Sequence, residues 1–93
     1  MRYTKAEILG MFNRLVKAMN KKIGREVGDL QLDYASCYGG YVIQELCNDQ
    51  GGIRHLFGSN RRNAKEMYLS MLMTTIMLEE LSYQQRLTEV VEA

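Results

Sequence analysis

The chain has 93 residues, 46% of them apolar and 25% charged, and a formal net charge of +1. These values exclude a disordered polyampholyte and a strongly basic nucleic-acid tail, and the length allows a single domain with a radius of gyration of about 12 Å, near the lower limit for burying a core unaided. No apolar run exceeds the length of Met71-Leu72-Met73, so no segment reads as a membrane span, and Met1-Arg2-Tyr3-Thr4-Lys5 offers charge where a secretory signal needs an apolar stretch. The expected location is the cytoplasm.

The first element is a helix from about residue 5 to 22. Thr4 and Glu7 form a capping box, and Tyr3 and Ile8 stand at the positions of a hydrophobic staple. Ile8, Met11, Phe12, Leu15, Val16 and Met19 then recur on one face, with Gly24 placed to end the helix. Leu30, Leu32 and Tyr34 alternate with polar neighbours, which reads as a strand with one face packed. A turn at Ser36 to Gly40 leads into a second strand, Tyr41 to Leu46, whose apolar residues fall on both faces, so it should be central or covered twice. Asn48 to Gly52 is a second turn and Ile53 to Phe57 a third strand. The last helix opens at Asn63 with Glu66, another capping-box pair, and is apolar nearly all round from Met67 to Leu78. Tyr83, Leu87, Val90 and Val91 extend it, and thirty helical residues would span roughly 45 Å, more than the domain's own diameter. The expected fold is α+β: an N-terminal helix, a short three-stranded antiparallel meander and a long C-terminal helix in one domain over 1–93. Residues 82–93 form a helical extension or oligomerisation tail, and a homodimer or larger homo-oligomer is the expected state.

The order Tyr38-Gly39-Gly40-Tyr41, then Asn48 with Gly51-Gly52, then Asn63-Ala64-Lys65-Glu66-Met67-Tyr68 resembles a group of small proteins from tailed phages and prophages. The likeness covers about residues 28 to 80. Asp49-Gln50 departs from the acidic-glycine turn of those relatives, and Cys37 stands where an alanine-like residue is the pattern. The resemblance implies a phage accessory context and carries over no functional residue.

The chemistry-bearing residues are few. Tyr38, Gly39, Gly40 and Tyr41 can make a platform of backbone N–H groups and stacking rings; they also suit a plain hairpin, which needs the glycines and packs the rings across its strands. Arg54, His55, Arg61, Arg62 and Lys65 precede the last helix, where positive charge and helix amides together favour phosphate; alternatively they are a solvated loop. Charge alternates in blocks: residues 53–65 carry four basic and no acidic side chains, and 66–93 carry one basic and five acidic. That pattern suits packing between subunits at least as well as an external partner. Cys37 and Cys47 are too far apart for a redox pair and too few for zinc, so they read as free thiols. The methionines of the last helix read as core, and no metal or cofactor is expected. One histidine and unpaired carboxylates leave no evident general base, so the chain does not read as an enzyme.

Three roles fit these residues. The first is an accessory protein that binds a host protein stoichiometrically, as an inhibitor or sequestering agent against host defence or metabolism, through the tyrosine-glycine turn and the Arg54 to Lys65 loop. The second is a nucleotide or nucleic-acid binder that takes phosphates on the arginines and bases on Tyr38 or Tyr41, a small anionic ligand being one form of it. The third is a structural or assembly protein with the helices as its interface.

Overall fold

The computed structural model describes residues 3–92, with side chains as far as Leu87. The element order is α1 (Lys5–Ala18), β1 (Leu30–Ala35), a 3-10 turn (Ser36–Tyr38), β2 (Gly40–Leu46), β3 (Ile53–Leu56) and α2 (Ala64–Glu92). The fold is α+β, with the three strands in antiparallel order β1-β2-β3.

Helix α1 begins as its sequence dictates. The Thr4 hydroxyl accepts from the Glu7 amide at 3.2 Å, and the Thr4 amide donates back to the Glu7 carboxylate at 3.4 Å. It ends earlier than Gly24 would allow. Asn20 takes the left-handed conformation at φ 58°, its amide donates to the Lys17 carbonyl, and the Lys21 amide donates to the Val16 carbonyl, both at 3.0 Å. This is a Schellman ending, and asparagine serves because it tolerates positive φ better than other side chains.

Strand β2 is central and paired on both sides, so its apolar residues face two ways. Tyr41 and Ile43 point with Leu30 into a cluster completed by Ile8, Phe12 and Leu15 of α1 and by Met67 and Met71 of α2. Val42, 3% exposed, lies on the opposite face, paired with Asp33. Both helices therefore pack on one face of the sheet, mostly against each other. Tyr3 stacks on Tyr68 with centroids 4.4 Å apart at one end of this pair, and Arg14 grips Glu79 with two hydrogen bonds of 2.6 and 3.1 Å at the other. The Arg14 hydrogen bond, helped by its charge, holds the Glu79 carboxyl below its ordinary range.

The third strand stops at Leu56, one residue short of the sequence expectation, because Phe57 adopts φ 65° and leaves the sheet. Its carbonyl accepts from Arg62 at 2.8 Å, which holds the strained residue in place. Helix α2 continues without a break to Glu92, roughly 43 Å for 29 residues. The molecule is consequently elongated: its radius of gyration is 15.0 Å, against about 12 Å for a compact chain of this length.

Candidate functional site

The Tyr38-Gly39-Gly40-Tyr41 segment reverses the chain between β1 and β2. Gly39 lies at φ 97° and Gly40 at φ 120°, conformations that favour glycine. A Cβ on Gly40 would also collide with the Arg62 carbonyl. That close approach has a cause: Tyr41 and Arg62 exchange two backbone hydrogen bonds of 2.7 and 2.8 Å, so residue 62 adds a single bridge to the start of β2. The turn is thus tied to the start of α2, where the Asn63 side chain accepts from the Glu66 amide at 2.8 Å.

The two tyrosines of the motif differ in environment. Tyr38 is 75% exposed, whereas Tyr41 is 7% exposed in the core, its ring 4.7 Å from that of Tyr34. Burial first, and then the neighbouring Tyr34 hydroxyl, push the Tyr41 phenol above its ordinary range. An open groove of about 440 Å³ lies beside the turn, lined by Tyr3, Lys5, Tyr34, Ser36, Gly39, Gly40, Tyr41, Asn63 and Ala64. A smaller hollow of about 160 Å³ shares Lys5, Tyr34 and Tyr41 with it and adds the apolar walls Leu9 and Leu32. The Lys5 ammonium sits 5.2 Å from the centre of the Tyr34 ring, a cation–π distance. The groove therefore offers aromatic edges and faces, one positive charge and the start of α2.

The basic residues before α2 do not converge on a shared anion cradle. Arg61 donates to the Gly40 carbonyl at 2.9 Å and to Asp33 at 2.5 Å, on the sheet face that carries Val42. Arg62 turns the other way, to Phe57 and, at 3.2 Å, to the Ser70 hydroxyl. Arg54 pairs with Glu45 at 3.2 Å, and Lys21 meets the second oxygen of the same carboxylate at 3.1 Å. His55 is half-buried in β3 opposite Gln44, on the sheet face away from the helices. The three arginines clasp the fold, and of the positive side chains in the loop Lys65 alone is left exposed without a partner among the described residues. Cys37 and Cys47 are both exposed thiols. Among the described residues no group of three or more histidine, cysteine or acidic side chains is arranged to hold a metal, and no helix is long and apolar enough to cross a membrane.

Sequence reading found the turn but not its companions. Tyr3, Lys5, Tyr34 and Asn63 reach the groove through the packing of α1 on α2 and through strand register, neither of which leaves a local pattern. Comparison with protein-family models, curated proteins and solved structures finds no match to the chain.

A second exposed feature lies on α2. Leu69, Met73, Ile76, Met77, Leu81, Tyr83 and Leu87 are 39–66% exposed and leave an apolar stripe along the side of the helix that α1 and the sheet do not cover. A contiguous exposed apolar stripe of this kind is uncommon on a small domain.

Proposed function

We propose that the chain is a small accessory protein of phage type that works in the host cytoplasm by stoichiometric, non-enzymatic binding to a host protein, as an inhibitor or sequestering agent. The observation that carries this reading is the groove at the tyrosine-glycine turn. It is open, aromatic and rigidly backed by the Tyr41–Arg62 bridge, a form suited to an exposed loop or peptide of a partner. Tyrosines are efficient anchors for such contacts because they bury large area at small entropic cost. Self-association through the outer stripe of α2 belongs to the same proposal and leaves the groove free.

The nucleotide reading ranks second. Its support is now Lys5 and the Tyr34 and Tyr38 rings rather than the arginines, which are engaged within the fold. Immobilised protein exposed to bacterial host lysate separates the two. Partner capture by the wild type, lost in Lys5→Ala/Tyr34→Ala and retained at high salt, is the expected result. Native mass spectrometry that instead finds a retained nucleotide, or binding whose affinity falls steeply with salt, contradicts it.

A further inference from the structure

The exposed stripe of α2 is not a random apolar surface. Leu69, Met73, Ile76, Glu80, Tyr83 and Leu87 follow one another at spacings of four, three, four, three and four residues, the seam of a two-helix coiled coil. At 100° per residue this seam centres roughly 150° from the line of Met67, Met71 and Thr75 that faces the core, so it lies on the opposite side of the helix. The spacing is also a palindrome. Residues 69 and 87, 73 and 83, and 76 and 80 are placed symmetrically about position 78, so the seam is complementary to its own reverse, as a two-fold interface requires.

We propose that α2 pairs antiparallel with α2 of a second copy about a two-fold axis level with Leu78, setting Leu69 against Leu87, Met73 against Tyr83 and Ile76 against Glu80 of the other chain. This rests on the self-association in the proposed function and adds its geometry. Charge selects the direction. Residues 79–92 carry four glutamates and one arginine, whereas 64–78 carry one lysine and one glutamate and are preceded by Arg61 and Arg62. A parallel pair would set the acidic halves side by side and Glu80 against its own copy; the antiparallel pair sets each acidic half against a neutral one. It also opposes the two helix dipoles. The one charged seam residue keeps a donor when the seam closes, because Gln84 Nε2 donates to Glu80 Oε1 at 3.1 Å within the same helix.

The test uses the full chain with Cys37→Ser and Cys47→Ser, which removes both native exposed thiols. On that background Leu69→Cys/Leu87→Cys is compared with Leu69→Cys alone, by sedimentation equilibrium and by non-reducing electrophoresis after mild oxidation. The expected result is a dimer in which the double variant forms an interchain disulfide and the single variant does not, since only the antiparallel register brings 69 and 87 within bonding distance. A dimer cross-linked by Leu69→Cys alone overturns the antiparallel register and leaves self-association standing. A wild-type monomer at about 100 µM overturns both. Where the cysteine variants lose their helical circular dichroism, Glu80→Leu decides. It should tighten the dimer at least about tenfold by taking a carboxylate out of the seam, and an unchanged or weaker dimer contradicts the proposal.

Discussion

Gly40 and Tyr41 line the proposed binding groove and also carry the backbone bridge to Arg62. Gly40 gives room for the Arg62 carbonyl and takes a φ that side-chain-bearing residues avoid, so Gly40→Ala should cost about 2–3 kcal/mol by combining backbone strain with a backbone collision. Chemical denaturation measures this directly, and a loss below about 0.5 kcal/mol would mean that the bridge to Arg62 is not formed. Tyr41 makes a separate prediction. Its phenol is raised by burial, so the folded state holds that proton to higher pH than the unfolded state does. Stability is therefore unaffected below the ordinary phenol range and falls as pH rises through it. In a spectrophotometric titration, one of the six tyrosines should ionise late and together with unfolding, and Tyr41→Phe should remove that late step. At this scale the glycine pair was legible, since paired glycines announce special backbone. The roles of the arginines were not. Arg61 and Asp33 are 28 residues apart in sequence, and only the register of β1 on β2 and the bridge at residue 62 bring them together.

Among the elements, α1 was legible because its signals are local: a capping box, a staple and a stripe at helical spacing. Only its end differed, since a Schellman turn at Asn20 satisfies the last carbonyls before Gly24 is reached. The strands were legible from alternation, and the two-sided apolar pattern of β2 marked it as central, as it is. Helix α2 is harder to read because its apolar residues serve two surfaces. One of its inward positions is imperfect: Thr75 is fully buried, and its hydroxyl has no hydrogen-bond partner among the described residues. An isosteric change that removes this hydroxyl relieves the desolvation of an unpaired polar group. Thr75→Val should thus stabilise the protein by about 1 kcal/mol, which for a domain of this size raises Tm by roughly 4–8 °C. A lower Tm would show that the hydroxyl is satisfied in solution.

As a whole the molecule is a small two-layer body from which a long helix projects. Among the described residues, the body is held by a core cluster of ten buried side chains and by arginine clasps that tie the loop before α2 to the sheet and to Phe57. Two exposed features remain beside these clasps. The groove at the turn is lined by Lys5, Tyr3, Tyr34 and Tyr41, and the outer face of α2 carries exposed apolar side chains. Sequence alone pointed to the first place through its glycines and to the second through the length of the helix. It placed Arg61 and Arg62 beside the turn, where they are, but not their partners, because net positive charge in a segment does not reveal which of those charges is already paired. In the proposed function, a partner binds at the groove and not at the arginine loop. Calorimetric titration of the captured host protein against wild type, Lys5→Ala/Tyr34→Ala and Lys65→Ala tests it most directly. Saturation at one partner per groove, a loss of about thirtyfold or more in affinity for the groove variant, as for a tyrosine hot spot worth ~2 kcal/mol, and no change for Lys65→Ala are expected. Full affinity in the groove variant with loss in Lys65→Ala would contradict it.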